Sequence, residues 1–282
     1  MKLLITGASG QLGVEVVAAG AVSGHDVVGL DRKSLDITDV AAVHRTIEAV
    51  APDVVINCAA FTAVDRCETE PQAAGAVNHH AVGELGEACD VFLAHLLHVS
   101  TDYVFAGDKV GPYIEGDEPH PINVYGHTKL AGEHALDPRH TVVRTSWLFG
   151  ASGNNAVRHV MGQVERGETP RFVTDQRGCP TFTPDLAPKL IELAELRASG
   201  LFHITNQGEV SWFELAREVV AALGLDPDIV QPILSADLHP SHAARRPANS
   251  VLDNTELVAR GLELLGPHDE ALARLVTDLI ER

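Results

Sequence analysis

The strongest constraint on the fold is a regular alternation of short apolar runs with segments of helical spacing in the first half of the chain. The apolar runs predict five buried strands: Leu3–Thr6, Asp26–Leu30, Val54–Asn57, Phe92–Ser100 and Thr141–Thr145. The intervening segments predict helices: Leu12–Ala21, Val40–Ala49, Pro71–Cys89 and Val124–Leu136. Such alternation predicts an α/β fold, a doubly wound parallel sheet with helices on both faces. Its ligands are expected at the carboxyl ends of the strands.

The regular alternation ends near residue 148, where glycines and prolines begin to interrupt short elements. Within the remainder, Leu186–Arg197 and Leu201–Ile204 predict a helix and a strand that return to the main sheet. We therefore predict a dinucleotide-binding domain of residues 1–148 plus about 184–205. A smaller α/β substrate-binding domain is expected from about 149–183 plus 206–282.

Composition excludes several classes of function. The chain carries 21 Lys and Arg against 39 Asp and Glu, a formal charge of −18, which argues against nucleic acid as a partner. No apolar run approaches the roughly 18 residues that a membrane span needs. The apolar N-terminus leads directly into a glycine turn, a pattern that predicts a first strand and not a secretory signal. These features predict a cytoplasmic protein without a membrane association.

The cysteines and histidines do not predict a metal centre. The four cysteines form no C-x-x-C pair and are expected to be reduced and mostly buried: Cys58, Cys67, Cys89 and Cys179. His95 and His98 are three residues apart on one predicted strand and should therefore face opposite sides of the sheet. His239 and His242 lie in a proline-containing loop, and their convergence on a metal is a minor alternative.

A glycine-rich turn follows the first predicted strand. Gly7, Gly10 and Gly13 have the spacing of a dinucleotide-binding turn of the Rossmann type, although a purely structural turn is the alternative. The helix that begins there would offer free N–H groups to a pyrophosphate. Asp31 ends the second strand, where an acid can bind the adenosine ribose of NAD, or only begins a turn. The adjacent Arg32 and Lys33 can instead bind the 2′-phosphate of NADP, so the choice between the two cofactors stays open.

Two further motifs carry chemistry. Tyr125 and Lys129 are four residues apart on a predicted helix, so both side chains point the same way. A nearby ammonium would lower the pKa of the phenol and let Tyr125 exchange a proton with a carbonyl oxygen. The alternative is an exposed Tyr stacked along a Lys side chain. The segment Ser100–Phe105 brings hydroxyl groups to the carboxyl edge of the sheet, where they can bind the same oxygen.

With these motifs in place, the chain resembles the dTDP-4-dehydrorhamnose reductase family of the extended short-chain dehydrogenase/reductase superfamily. The resemblance covers essentially the whole length. The segments that carry it are Thr6–Gly13, Leu35–Asp39, Asp53–Asp65, Ser100–Phe105, Asn123–Glu133, Arg144–Gly150, Asp175–Thr181 and Arg246–Leu252.

The resemblance implies an NAD(P)H-dependent oxidoreductase that reduces the 4-keto group of a dTDP-sugar to give dTDP-L-rhamnose. It implies a catalytic trio of Thr101, Tyr125 and Lys129, in which Tyr125 donates the proton. The implied cofactor-binding residues are Gly7, Gly10, Gln11, Leu12, Gly13, Asp31, Arg32, Asp36, Ile37, Ala59, Ala60, Thr62, Tyr125 and Lys129. The implied substrate-binding residues are Val64, Thr101, Asp102, Tyr103, Tyr125, Trp147 and Arg246. For Trp147 core packing is the alternative, and for Arg246 a salt bridge to an acidic residue.

Other readings of the same motifs remain. The scaffold is shared with nucleotide-sugar epimerases, dehydratases and other reductases, and with a non-catalytic nucleotide-binding regulatory subunit. Some family members form a dimer around a metal held by glutamates. Glu15 fits that pattern here, but Thr183 and Pro184 stand where the second glutamate is expected. We therefore expect a monomer or homodimer without that metal.

Overall fold

The computed structural model describes residues 1–238 and 243–280, so His239 and His242 lie outside the described residues. The first half contains strands β1–β5 and helices α1–α6: β1 Lys2–Thr6, α1 Gln11–Val22, β2 Asp26–Leu30, α2 Val40–Val50, β3 Val54–Asn57, α3 Val64–Thr69, α4 Pro71–Gly75, α5 Ala81–Val91, β4 His95–Thr101, α6 Val124–His134 and β5 Thr141–Thr145. The second half continues with β6 Leu148–Phe149, α7 Ala156–Glu165, β7 Arg171–Val173, β8 Arg177–Gly178, β9 Thr181–Phe182, α8 Thr183–Leu196, β10 Gly200–His203, β11 Val210–Ser211, α9 Trp212–Ala222, β12 Gln231–Ile233, α10 Thr255–Ala259 and α11 His268–Ile280.

Six strands form one parallel sheet in the order β2-β1-β3-β4-β5-β10. The chain moves from β1 outward to β2 and then returns to the other side of β1 with β3. This reversal opens a crevice between the carboxyl ends of β1 and β3, the position at which doubly wound sheets bind their ligands. The predicted α/β class is confirmed.

Two predicted elements differ from the structure. The strand predicted from Phe92 begins only at His95, because α5 ends at Val91 and the chain turns through Leu93 with φ of 59°. Apolar side chains in this turn extended the run that predicts a strand. The helix predicted over Pro71–Cys89 is helical throughout, but a π-helical turn, Ala76–His80, separates α4 from α5.

The hydrophobic clusters divide between the main sheet with its helices and the later part of the chain. The strands pack against helices on both faces, and α8 lies against the cluster that includes Leu3 and Phe202. A separate cluster is built from residues between 149 and 182 and between 210 and 276. Leu257 and Leu265 depart from this pattern and pack under the main sheet. The domain boundaries therefore stay a prediction, although α8 packs against the main sheet and β10 is one of its strands, as expected. In the described part of the chain, no helix has the length and apolar character to cross a membrane.

Candidate functional site

The glycine turn after β1 brings backbone against backbone. Gly7 has φ of 67°, and a side chain there would lie 2.7 Å from the backbone nitrogen of Ala59 after β3. A Cβ at Gly13 would lie 2.2 Å from the carbonyl oxygen of Gly7. Only glycine fits both positions, since any Cβ would push α1 away from the sheet. The start of α1 therefore stays close to the crevice with its first N–H groups directed outward.

Two cavities join along this edge of the sheet. The larger has a volume of about 450 Å³ and extends from the glycine turn past β4 to α6 and the segment after β5. The smaller, about 210 Å³, lies above β2 and β3. Both are lined by Gly10, Cys58 and Ala60, so they form one groove across the crevice. The groove accounts for most predicted cofactor residues: Gly7, Gly10, Gln11, Leu12, Gly13, Arg32, Asp36, Ile37, Ala59, Ala60, Thr62, Tyr125 and Lys129.

Asp31 is the exception among the predicted cofactor residues, because it lines neither cavity. Its Oδ1 accepts hydrogen bonds from the Ser34 hydroxyl at 2.7 Å and from the backbone N–H groups of Ser34 and Lys33. These bonds hold the pKa of Asp31 below its ordinary value. The Asp31 carboxylate thus stabilises the turn that begins at this residue, while the neighbouring Arg32 lines the smaller cavity.

The predicted catalytic side chains converge in the larger cavity. Asn123 begins α6 by accepting the N–H of Gly126 at 2.8 Å, which fixes the first turn that carries Tyr125. Thr101 ends β4 and lines this cavity beside Tyr125, and its hydroxyl donates to Asp102 Oδ1. Lys129 follows one turn later, 1% exposed, and lines the same cavity.

The electrostatics differ from the sequence-based expectation for the phenol. Burial raises the pKa of Tyr125 above its ordinary value, and the neighbouring Thr101 hydroxyl offsets only part of this effect. Lys129 Nζ donates to the Val99 carbonyl at 2.7 Å and lies 3.1 Å from Nε2 of His98. The pKa of Tyr125 is thus raised, because burial outweighs the lowering that the sequence predicts from a nearby Lys129.

Asp102 places a buried carboxyl group on the floor of the cavity. It is 2% exposed, and burial raises its pKa to about 7. Oδ1 accepts the Thr101 hydroxyl at 2.9 Å, whereas Oδ2 has no hydrogen-bond partner of acceptable geometry. A buried carboxyl oxygen without a partner is costly unless it is protonated or meets a ligand.

Two tryptophans form the wall opposite the glycine turn. Trp147, after β5, has φ of 46°, and its ring stacks on that of Trp212 with 3.5 Å between centroids. A side chain at Gly178 would overlap the Trp147 ring at 2.4 Å. Trp147 packs on the second hydrophobic cluster, as the alternative for this residue had it, and also lines the cavity, so contact with a substrate stays a prediction.

Arg246 lies at the outer end of the site. It forms a bidentate pair with Asp65 of α3, at 2.7 and 2.8 Å, and its charge lowers the pKa of Tyr103 against the larger opposite effect of burial. The structure therefore contains the salt bridge to an acidic residue that the sequence analysis gave as the alternative to substrate binding by Arg246. Arg246 and Tyr103 also line a third cavity of about 590 Å³, which continues from the larger one past Trp212. The remaining predicted substrate residues, Val64, Thr101, Asp102, Tyr125 and Trp147, line the larger cavity.

Several lining residues escaped the sequence reasoning. Those of the larger and third cavities include Cys58, Val99, Thr145, Ser146, Asn154, His159, Arg171, Phe172, Gln176 and Trp212. Gln176 and Ser146 fall within segments that carried the family resemblance, which was a usable signal. Trp212 begins α9 directly after the capping Ser211, and nothing local distinguishes it from a core residue.

The groove fits a dinucleotide on two observations. The glycine turn leaves room that a Cβ would fill. In addition, Gln11 Nε2 and Thr145 Oγ1 are buried in the larger cavity without hydrogen-bond partners, so both are available to a polar ligand. Within residues 1–238 and 243–280, no group of three or more His, Cys, Asp or Glu side chains is arranged to hold a metal ion. All four cysteines are free thiols.

Comparison with known sequences gives a full-length match. The family described as "RmlD substrate binding domain" matches residues 1–281. A dTDP-4-dehydrorhamnose reductase of Streptomyces griseus is 44% identical over 94% of this chain and 89% of its own length. Reductases with other names are about as similar: a dTDP-4-keto-6-deoxy-D-glucose reductase of Streptomyces niveus is 42% identical over 83% of each chain.

Solved structures agree in fold and length. A dTDP-4-dehydrorhamnose reductase of Clostridium acetobutylicum has a TM-score of 0.94 and 37% identity, with each chain covered completely. One from Bacillus anthracis, in complex with NADP, has a TM-score of 0.93 and 34% identity over 100% of this chain and 99% of that one.

Proposed function

The chain belongs to the dTDP-4-dehydrorhamnose reductase family of NAD(P)-dependent oxidoreductases, and we propose that it reduces dTDP-4-dehydro-β-L-rhamnose to dTDP-L-rhamnose. The observation that carries the proposal is the meeting of Thr101, Tyr125 and Lys129 in the 450 Å³ cavity that begins at the glycine turn. The cofactor is NADPH or NADH, which supplies a hydride to C4 of the sugar when bound.

Tyr125 and Thr101 would act on the oxygen of the 4-keto group. Because burial raises the pKa of Tyr125, the phenol keeps its proton at neutral pH and can donate it as the carbonyl becomes an alkoxide. The Thr101 hydroxyl, which donates to Asp102 in this structure, would turn from that carboxyl group to donate a second hydrogen bond to the same oxygen. The carbonyl carbon gains two electrons with the hydride, the oxygen gains the proton of Tyr125, and the product is the alcohol.

The rest of the groove would position the two ligands. The helix α1 N-terminus and its glycines would bind the pyrophosphate of the cofactor. Val64, Asp102, Tyr103 and Trp147 would contact the sugar, and the third cavity past Trp212 would hold the nucleotide. Arg246 is then placed for the diphosphate, provided that it exchanges Asp65 for the ligand.

The direct test follows absorbance loss of NADPH or NADH with dTDP-4-dehydro-β-L-rhamnose, in low and in molar salt. We expect oxidation of at least one cofactor. No oxidation of either would refute the proposal. A parallel reaction with dTDP-4-keto-6-deoxy-D-glucose, the substrate class in the name of one relative, measures the competing specificity; a higher kcat/KM for that sugar would replace the proposed substrate.

A variant separates chemistry from binding. Tyr125→Phe should lower kcat by about 10² to 10⁴, the usual contribution of a positioned proton donor, while the Kd for the cofactor changes little. A loss of cofactor affinity as large as the loss of kcat would make Tyr125 a structural residue. A cytoplasmic location, the domain boundaries and a monomer or homodimer without a bridging metal remain predictions beside this one.

A further inference from the structure

The first turn of α6, which carries Tyr125, is held by a side chain from another helix. Glu68 of α3 accepts the backbone N–H of Val124 through Oε1 at 2.8 Å. Val124 is the first residue of α6 and directly precedes Tyr125. The N–H groups of a first helical turn have no partner within their own helix. The Glu68 carboxylate therefore satisfies a group that α6 cannot satisfy by itself.

The following N–H groups of this turn are satisfied by the residue that begins the helix. Asn123 accepts the N–H of Gly126 through Oδ1 at 2.8 Å, and its backbone carbonyl accepts that of His127 at 3.0 Å. Asn123 Nδ2 donates to the carbonyl of Arg245 at 2.8 Å. The bonds of Asn123 fix the shape of the turn, whereas the bond to Glu68 fixes its position relative to α3.

The same turn also meets the segment after β4 at close range. A Cβ at Gly126 would lie 2.1 Å from the backbone carbonyl oxygen of Tyr103. This contact limits movement of the turn toward that segment, and the bond to Glu68 opposes its separation from α3. In sequence, Tyr125 lies between Val124 and Gly126, the two residues that make these contacts.

The helix that carries Glu68 is itself anchored on other parts of the chain. Asp65 accepts the backbone N–H of Ala244 through Oδ1 at 2.9 Å. Cys67 is fully buried, and its Sγ donates to the carbonyl oxygen of Phe61 at 3.8 Å. Neither contact involves α6, so α3 gives the carboxylate of Glu68 a base that is fixed independently of the helix that it holds.

We propose that Glu68 is a positioning residue for the reduction. Its carboxylate holds the first turn of α6 against α3 and so places the phenol of Tyr125 beside Thr101 in the larger cavity. In the described part of the chain, Glu68 lies outside the lining of the three joined cavities, so it acts through α6 and not by contact with a ligand. The proposal rests on the proposed function, because it assigns the donated proton to Tyr125.

The effect of this hydrogen bond should appear in kcat. A proton donor must lie within hydrogen-bond reach of the oxygen that it protonates, and a misplacement of about 1 Å can cost about 100-fold in rate. Glu68→Ala removes the acceptor of the Val124 N–H and leaves the residues that line the cavities in place. We expect kcat to fall by about 10- to 100-fold. The KM for the dTDP-sugar and the Kd for the cofactor should change by less than about twofold.

Two conservative variants separate the bond from the charge. Glu68→Gln has the same length, and its Oε1 accepts the Val124 N–H as the carboxylate does, so kcat should stay within about threefold of the wild-type value. Glu68→Asp keeps the charge but withdraws it by one methylene group, so it should lose kcat as Glu68→Ala does, and it replaces that variant if Glu68→Ala does not fold. A kcat in Glu68→Gln as low as in Glu68→Ala would show that the charge acts, and would overturn the proposal.

The matched control is Glu70→Ala, at the end of the same helix. The Glu70 carboxylate forms a bidentate pair with Arg66 at the surface, at 2.9 and 3.0 Å. This variant removes a carboxylate and its side-chain bonds from α3 but leaves the bond to Val124. We expect the wild-type kcat and KM. A loss of kcat as large as in Glu68→Ala would assign the effect to α3 as a whole and contradict the proposal.

Two measurements on the protein without ligands do not depend on the identity of the substrate. Amide hydrogen exchange at Val124 should be faster by at least about tenfold in Glu68→Ala than in the wild type, Glu68→Gln or Glu70→Ala. With 3-fluorotyrosine in place of the three tyrosines, the ¹⁹F signal that disappears in Tyr125→Phe identifies Tyr125. We expect this signal to shift in Glu68→Ala and to keep its position in Glu68→Gln.

The outcomes decide between placement of the phenol and simple helix capping. An unchanged Tyr125 signal or an unchanged kcat in Glu68→Ala would overturn the proposal, since Glu68 would then stabilise α6 without placing Tyr125. A loss of kcat/KM that lies entirely in KM would overturn it as well. If the wild-type protein reduces none of the tested sugars, the proposed function is refuted, and the exchange and fluorine measurements still decide whether Glu68 fixes the position of Tyr125.

Discussion

The two sides of the groove are built in different ways. The dinucleotide side consists of backbone: Gly7 and Gly13 let a turn, a strand end and a helix start approach to distances that no side chain allows. The sugar side consists of side chains from distant segments, above all Trp147 stacked on Trp212 and Arg246 paired with Asp65. The backbone side depends on local sequence, whereas the other side depends on how two regions of the chain pack. Variants should therefore affect one ligand and spare the other.

The largest expected effect is on the backbone side. Gly13→Val places a Cβ within 2.2 Å of the Gly7 carbonyl, so α1 must move outward. The Kd for NADPH and NADH should increase by at least about 1,000-fold, roughly 4 kcal/mol, while binding of the dTDP-sugar persists. Titration calorimetry with each ligand measures both. The control is Gly116→Ala, where the added Cβ meets no atom within 4 Å, and this variant should bind the cofactor and the dTDP-sugar normally. If Gly13→Val binds the cofactor with normal affinity, the interpretation that backbone packing builds this side of the groove is wrong.

Asp102 gives the next effect, in stability against pH. The pKa of Asp102 in the folded protein, about 7, lies above the ordinary value of 3.8. The stabilising contribution of protonated Asp102 is therefore fully present below about pH 4 and is lost as the pH rises from there to about 7. Asp102→Asn should remove a loss of about 4 kcal/mol across that interval, of which about 3 kcal/mol falls between pH 5 and 8. Urea unfolding of both proteins at pH 5 and 8 measures it, and parallel curves for the two proteins would show that Asp102 ionises normally.

Trp212 tests the side-chain side. Trp212→Ala removes the ring that stacks on Trp147 and that lines both the cavity of about 450 Å³ and the cavity of about 590 Å³. We expect KM for the dTDP-sugar to rise by about 10- to 30-fold, because an aromatic pair and its buried area are lost. Trp212→Phe should recover part of this loss. An equal change in cofactor Kd would show that the two sides are not independent.

The smallest effect concerns Arg32, the cation that sequence and structure both place at the smaller cavity. Arg32 lines the smaller cavity, while Asp31 is engaged with Ser34. Arg32→Ala should reduce kcat/KM for NADPH by about tenfold relative to NADH, the value of one charge-assisted hydrogen bond. Lys33→Ala is the matched control, since Lys33 does not line that cavity. Equal losses with both cofactors in Arg32→Ala would exclude a role in phosphate recognition.

Much of the fold was predictable because its signals are local. The strands Asp26–Leu30, Val54–Asn57 and Thr141–Thr145 were predicted with their observed bounds, since each apolar run is closed by polar or turn residues. Phe92 and Leu93 were assigned to a strand because hydrophobicity does not reveal a left-handed turn. The position of Asp31 predicted either a contact with the cofactor or the start of a turn, and the hydrogen bonds that its Oδ1 accepts from Ser34 and Lys33 show the turn.

The sequence by itself determined the sheet, the glycine turn and the family, because periodicity, turn residues and motif spacing act over a few residues. Tertiary structure decided what surrounds each group. It placed Trp212 opposite Trp147, paired Arg246 with Asp65 across 181 positions, and connected Lys129 through His98 and Asn57 to Thr6. Burial and donor–acceptor geometry set the protonation of a side chain, and both come from residues distant in sequence.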